Sequence, residues 1–271
     1  MENAFALNFT LGSILVPIFG IIAYKLKILD VLGVIASLIV GITIFWFGGW
    51  TWFLQIFYFL TAASIFTRFK YSLKYNQGLA LEGGEIRTWT NVAANGGAAS
   101  IATVIYGFTG HALWYAFFVG SVSSVAADTL ATEVGLTSKT PPRLITNLNK
   151  IVAPGTSGGI TLVGEVAALL AAAFSGVIGF FGASLLGSPY FKVLLIALTS
   201  GFLGANVDSL LGASVQGIYT CGVCGKTTEK KIHCEKKTTL QRGSTRVDND
   251  FVNLSSSIIG GLAAVALYYG V

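Results

Sequence analysis

The sequence predicts an all-α membrane protein: a polytopic bundle of about eight transmembrane helices, with a small zinc-knuckle-like loop on one side. Three observations predict it. Of 271 residues, 54% are hydrophobic and only 11% charged; soluble domains carry about 25% charged residues, so this chain lacks the polar surface to face water. Eight apolar stretches, each of roughly 17 to 25 residues, have the length of a bilayer-crossing helix. Finally, sixteen of the 17 Lys and Arg residues fall on alternate connections between those stretches. Continuous apolar runs suit helices, whereas the strands of a membrane barrel alternate.

In chain order the stretches cover 5–24, 29–48, 50–66, 89–108, 112–133, 157–182, 190–212 and 250–270. The first has no cleavage site at its end, so it reads as a retained helix and not a signal peptide. Only GGW (48–50) separates the second from the third, which makes this the least marked boundary. The fourth contains ANGGAAS (94–100), the fifth is built on LWYAFFVGSV (113–122), and the sixth is entered through APGTSGGITLVGE (153–165). Residues 1–66 form an N-terminal helical part and 67–271 a core, within which 213–249 is the Cys- and His-containing loop.

Orientation follows from the basic residues. Lys25 and Lys27 lie on one connection, and Arg68, Lys70, Lys74 and Arg87 on another. Lys139, Arg143 and Lys150 share a third, and the remaining seven lie within 213–249; Lys192 alone falls on the opposite face. The positive-inside bias makes the basic side cytoplasmic and leaves both termini outside. The formal charge of +5 therefore marks topology and argues against a nucleic-acid partner, while still suiting an anionic substrate.

Ionisable groups at membrane depth cost a few kcal/mol each and mark functional sites. Asp128 and Glu133, in SSVAADTLATEVG (123–135), lie near the basic end of the fifth stretch. Glu165 falls about two turns into the sixth, Asp208 near the end of the seventh, and Asp250 at the start of the eighth. All five converge on one leaflet, whereas a carrier would want its charges near the midplane. Asp128 and Glu133 are five residues apart, roughly 140° around a helix, so they do not face one spot. His111, in the outer turn FTGHAL, reads as solvated.

Two glycine-rich segments adjoin these acids. Pro154 and Gly155 make a turn, Thr156 and Ser157 are candidate N-caps, and Gly158 and Gly159 follow. Successive backbone N–H groups at a helix start bind anions with help from the helix dipole. Gly96 and Gly97 read equally as an anion site or as close helix packing. A glycine pair followed by an aspartate helix occurs twice, NGG before Asp128 and SGG before Asp208, a faint internal duplication.

CGVCGKTTEKKIHC (221–234) holds all three cysteines and one of only two histidines. Cys221, Cys224, His233 and Cys234 suit a structural Zn2+ site, with adjacent His and Cys ligands the awkward feature.

EGGEIRTWTNVAANGG (82–97), DTLATEVG (128–135), PPRLITNLNKIVAPGTSGG (141–159), CGVCGKTTEKKIHC and DNDFVN (248–253) together resemble the integral membrane family that includes plant phytyl-phosphate kinase and transmembrane protein 19. The resemblance covers about residues 64–260. DTLATEVG also fits a looser D-x-x-A-x-x-x-G pattern of polyprenol kinases and phosphatidate cytidylyltransferases, although Leu136 and Thr137 stand where that pattern continues with Gly-Lys. The resemblance implies a kinase that uses a nucleotide, CTP by expectation, to convert a prenyl monophosphate to the diphosphate at the cytoplasmic face. A polyprenol kinase, a cytidylyltransferase or a transporter is the alternative.

Under that reading Asp128, with Asp208 or Asp250, holds catalytic Mg2+, and Glu133, Lys139 and Arg143 complete the catalytic set. Arg87, Asn95, Gly96, Gly97, Lys150, the turn Pro154–Gly159, Glu165, Asn206 and Asn249 bind substrate or nucleotide. The partners are the prenyl phosphate, the nucleoside triphosphate and membrane lipids, and a homo-oligomer is left open.

Overall fold

A computed structural model describes residues 2–79, 86–185 and 191–270. The helices are α1 (Glu2–Lys25), α2 (Val31–Gly48), α3 (Trp50–Arg68), α4 (Tyr71–Asn76), α5 (Trp89–Thr109), α6 (Ala112–Gly135), α7 (Leu162–Leu185), α8 (Lys192–Ser214) and α9 (Asn249–Gly270). Eight long helices thus stand where eight apolar stretches predict them, and α4 is a short addition. Gly49, at φ 85°, ends α2 and begins α3, so GGW does divide two helices.

Seven of the long helices are long and apolar enough to cross a membrane, α5 being the exception. Its first half carries Asn91, Asn95, Gly96 and Gly97. It nevertheless runs beside α2 over the same depth: a Cβ at Gly33 would meet the Arg87 carbonyl, one at Gly96 would meet Val40, and one at Gly107 would meet Phe47.

The core is α6, whose residues from Tyr115 to Ala127 are continuously buried, with α3, α5, α7, α8 and α9 packed around it. Lipid tails are as apolar as leucine, so association here relies on close approach and interhelical hydrogen bonds. Gly120 meets Gly260 and Ala264, and Gly201 meets Ser123 and Ala172. Ser121 and Ser257 share a 2.6 Å hydrogen bond, and Ser123 donates to Ser175 at 2.8 Å. Helices α1 and α2 lie outside this ring, α2 packing on α5 and α1 on α2.

The α1–α2, α3–α5, α6–α7 and α8–α9 connections gather at one end of the bundle, which carries all the basic residues except Lys192. Two connections fold into small antiparallel sheets that helical periodicity did not foresee. Between α6 and α7, β1 (Arg143–Leu144), β2 (Asn147–Ile151) and β3 (Gly159–Ile160) pair in the order β2-β1-β3. Between α8 and α9, β4 (Ile218–Thr220), β5 (Thr227–Thr228) and β8 (Thr239–Arg242) pair in the order β5-β4-β8, and β6 (Ile232–His233) pairs with β7 (Lys236–Lys237).

The predicted sixth helix begins later than expected. Residues 157–161 belong to a turn and strand, α7 starts at Leu162, and its cap is Thr161, whose Oγ1 accepts from the Gly164 N–H at 3.0 Å. Thr156 and Ser157 therefore do not cap it.

Candidate functional site

The end of the bundle that collects the basic connections opens into a cavity of about 450 Å³. Six carboxylates line it from five segments: Asp128 and Glu133 on α6, Glu165 on α7, Asp208 on α8, Asp250 on α9 and Glu229 on the loop after β5. Arg87 is the only basic residue among the described residues that line it.

Asp128 and Asp208 face the cavity for a packing reason. Gly204 of α8 lies against Ser124 of α6, and each aspartate follows four residues later on helices that run in the same direction. Ser256 of α9 ties both helices together: its carbonyl accepts from Ser124 Oγ at 3.1 Å, and its hydroxyl donates to Asp208 Oδ2 at 2.9 Å. This level placement agrees with the duplication suggested by the paired motifs. Asp128 has no hydrogen-bond or ion-pair partner among the described residues.

Glu165 is oriented by Asn206, whose side-chain amide donates to it at 3.1 Å; Asn206 itself does not line the cavity. Asn249 and Asp250 enter from the first turn of α9, which Asp248 caps by accepting from the Phe251 N–H at 3.0 Å. Asn95 reaches the wall from α5, whereas Gly96 faces Val40 and Gly97 has open space around it, so neither lines the cavity.

Glu133 lines the cavity wall but is already engaged. Its Oε2 lies 2.6 Å from Lys74 Nζ and its Oε1 accepts from Thr67 Oγ1 at 2.7 Å. Lys74 also donates to the carbonyls of Phe66 and Thr67 at 2.9 and 3.2 Å. An ammonium thus caps the carboxyl end of α3, where the helix dipole favours positive charge, and Glu133 neutralises it.

The turn Pro154–Gly159 forms one cavity wall. Gly155 (φ 80°) and Gly158 (φ 77°) take the left-handed backbone that glycine permits, and a Cβ at Gly158 would lie 2.6 Å from the Ala213 nitrogen and the Ser209 carbonyl oxygen. Ser157 donates to Gln216 Oε1 at 2.6 Å, and Arg242 donates to the Ser157 carbonyl at 3.0 Å and to the Ala213 carbonyl. Arg242 thereby fastens the turn to the end of α8. Because α7 starts after this turn, the helix dipole expected to assist anion binding there is displaced along the chain.

Lys139, Arg143 and Lys150 do not line the cavity; all three are exposed, and Arg143 donates to the Leu148 carbonyl at 2.6 Å. Arg143 on β1 and Lys150 on β2 point to solvent, and Lys139 lies in the turn before them. Glu82–Glu85 of the EGGEIR motif lie outside the described residues. Sequence reasoning missed Glu229, Lys74 and Arg242 as site-building residues. Glu229 is the only acid between Cys224 and His233, a signal that was available.

Beside the cavity, Cys221, Cys224, His233 and Cys234 bring one ligand atom each within 4.8 Å of the others, a group that can hold a metal. The adjacent His–Cys pair is accommodated by the tight β6–β7 turn, where Cys234 (φ 51°) and Glu235 (φ 59°) are both left-handed. His233 Nδ1 then lies 3.3 Å from the Cys234 sulfur and 3.6 Å from that of Cys224. The backbone N–H groups of Cys224 and Val223 pull the Cys221 thiol down to about 6.

The family described as Integral membrane protein DUF92 matches residues 14–261. The match begins within α1, so it takes in the N-terminal helices that the motif resemblance left out. Among relatives, Protein PGR of Arabidopsis thaliana is 30% identical over 269 residues, 91% of this chain and 92% of that protein. An uncharacterized membrane protein of Methanocaldococcus jannaschii is 28% identical over 257 residues, 94% of this chain and 92% of the relative. Protein VTE6, chloroplastic, of Arabidopsis thaliana is 27% identical over 242 residues, covering 87% of this chain and 64% of its own length. No solved structure matches.

Proposed function

We propose that this chain, which belongs to the DUF92 family of integral membrane proteins, is a phosphotransferase that moves a phosphoryl group from a nucleoside triphosphate, CTP by preference, to a prenyl monophosphate. The observation that carries the reading is one cavity at the basic end of the bundle lined by six carboxylates, of which Glu133 is paired with Lys74, and, among the described residues, a single guanidinium. Phosphoryl transfer asks the protein mainly for positioning and charge neutralisation. Both substrates are anions, so a carboxylate-lined cavity can receive them only together with cations.

The donor set fits Mg2+: hard carboxylate oxygens, with Asp128 unpartnered among the described residues and Asp208 accepting a single hydrogen bond, from Ser256, on one oxygen. Asp128 and Asp208 would hold the ion, with Asp250 or Glu165 beside them. Bound there, Mg2+ would neutralise charge on the donor's phosphates. An oxygen of the acceptor monophosphate attacks the terminal phosphorus of the donor, the bond to the bridging oxygen breaks, and the nucleoside diphosphate leaves with the electron pair. Monophosphates have a second pKa of about 6, so the nucleophile is already deprotonated near neutrality. That frees Glu133 from any duty as a base, which agrees with its ion pair to Lys74. Arg87 would grip a phosphate, and the Pro154–Gly159 turn, which also lines the cavity, would bound the nucleotide.

The Cys/His group is read as a structural zinc site. Tetrahedral zinc with Zn–S near 2.3 Å and Zn–N near 2.0 Å separates nitrogen from sulfur by about 3.5 Å, and the observed separations are 3.3 and 3.6 Å. Zinc here would brace the loop that carries Glu229 to the cavity.

The test is incubation of purified protein with labelled CTP, Mg2+ and geranylgeranyl monophosphate. Transfer of label to a prenyl diphosphate is expected; no transfer from any nucleoside triphosphate to any prenyl monophosphate or prenol rejects the reading.

A further inference from the structure

The Cys/His group folds a loop whose charge is opposite to that of the cavity beside it. Residues 221–241 hold five lysines, Lys226, Lys230, Lys231, Lys236 and Lys237, against two glutamates. All five lysines are exposed, and none has a side-chain hydrogen bond or ion pair among the described residues. Lys226 stands at the cavity rim. Its carbonyl accepts from the Cys221 N–H at 3.0 Å, which ties it to the Cys/His turn. A Cβ at Gly78 would lie 3.5 Å from its Nζ. Gln77, one residue before Gly78, lines the cavity. Leu79, one residue after, meets the cavity wall, where a Cβ at Gly155 would lie 3.0 Å from its Cδ2. The Pro154–Gly159 turn, the strap Gln77–Leu79 and the lysine loop therefore adjoin at one mouth, and Glu229 of the same loop lines the cavity itself.

We propose that this lysine face, led by Lys226, holds the phosphate chain of the donor nucleoside triphosphate while the donor's divalent cation lies among the carboxylates. The proposal deepens the reading above and rests on it for the cavity's cation. Charge complementarity selects the occupant. A metal-bound triphosphate presents a cation and a run of phosphate oxygens side by side, and here carboxylates and ammoniums stand side by side. A lysine ammonium is a strong point-charge partner for phosphate. Five exposed lysines on a solvent-facing loop also suit a polyanion arriving from water, whose encounter they would speed. A lipid monophosphate brings a single phosphate and arrives from the bilayer. The hairpin β6–β7 fixes part of this face, since Lys236 and Lys237 pair there with His233 and Ile232.

Purified protein with Mg2+ is treated with acyl phosphates of CTP and of ATP, and the adducts are mapped by mass spectrometry. A lysine amine beside the terminal phosphate attacks the acyl carbon, an amide forms, a proton is released and the nucleotide leaves. Label is expected on Lys226 together with Lys230 or Lys231, and excess nucleotide or inorganic triphosphate should displace it. Lys139 and Lys150, exposed but not lining the cavity, supply the undisplaced background. In equilibrium binding, Lys226→Gln should weaken nucleotide affinity about fivefold and reduce its dependence on salt. An unchanged elution profile and zinc content would verify that the loop still folds. The proposal is overturned by the absence of displaceable label on Lys226 from either reagent, by displacement with nucleotide but not with inorganic triphosphate, or by parent affinity in folded Lys226→Gln. Displaceable labelling without phosphoryl transfer in the enzymatic assay upholds the lysine face and rejects the kinase; transfer without displaceable labelling does the reverse.

Discussion

Asp128 and Asp208 stand level with one another on two parallel helices, each one turn beyond the contact of Ser124 with Gly204. Two acids at membrane depth cost several kcal/mol unless something neutralises them. Ser256 satisfies one oxygen of Asp208, and a cation bound as proposed above would neutralise the rest.

Asp128→Asn keeps the size of the side chain and removes its charge. Phosphoryl transfer should fall by on the order of 100-fold or more, as it does when one transition-state-stabilising contact is lost. Asp208→Asn should behave alike. Thermal stability should hold or rise, since an amide costs less to bury than a lone carboxylate. A near-parent rate in well-folded Asp128→Asn protein would falsify its role as a ligand.

Lys74 and Glu133 should matter for stability before rate. Their side chains are 1% and 14% exposed, and removing one partner of a buried pair costs about 3–5 kcal/mol. Lys74→Met should therefore lower the melting temperature strongly in detergent. The double variant Lys74→Met/Glu133→Gln should recover part of the loss, because no uncompensated charge remains. Equal melting temperatures for parent and Lys74→Met would show that the pair contributes nothing.

Gly158→Ala tests the turn at the cavity wall. The backbone is left-handed there, and the new methyl would press on the Ser209 carbonyl and the Ala213 nitrogen. Destabilisation above about 1 kcal/mol is expected, with the turn displaced from the end of α8. A fully stable variant would mean that the turn is not held against α8 as described.

Metal analysis of protein purified without added metal should find about one zinc per chain. Cys224→Ser and Cys234→Ser should lose it, and acidification should release it, because protons compete with the metal for thiolates. Retention of parent zinc by both variants excludes the site.

Orientation can be read with an impermeant maleimide on intact cells. His111, exposed at the turn before α6, and Thr245, exposed in the α8–α9 connection, lie at opposite ends of the bundle. The positive-inside rule predicts the basic end to be cytoplasmic; if it is, a cysteine at 111 should react and one at 245 should not. The reverse pattern would put the carboxylate cavity outside.

Much of this protein was legible along the chain. Helix number, most helix ends within about two residues, the basic end of the bundle and the Cys/His cluster all follow from hydropathy, charge and spacing, which are local properties of a chain in a bilayer. The family was legible in motifs that lie in order. What tertiary structure decided was the partner of each buried charge. Glu133 and Asp128 share one helix end, yet Lys74, 59 residues away in sequence, claims Glu133, and Asp128 is left facing the cavity. Asn206 serves Glu165 and not a ligand, Arg242 fastens a turn and does not only mark a side, and the loop delivers Glu229. Arg143 and Lys150 turn outward because short strands, and not a helix start, fill the α6–α7 connection. An apolar run announces itself within twenty residues, but the neutralisation of a buried charge depends on which helices meet, and packing between small residues such as Ser124 and Gly204 settles that.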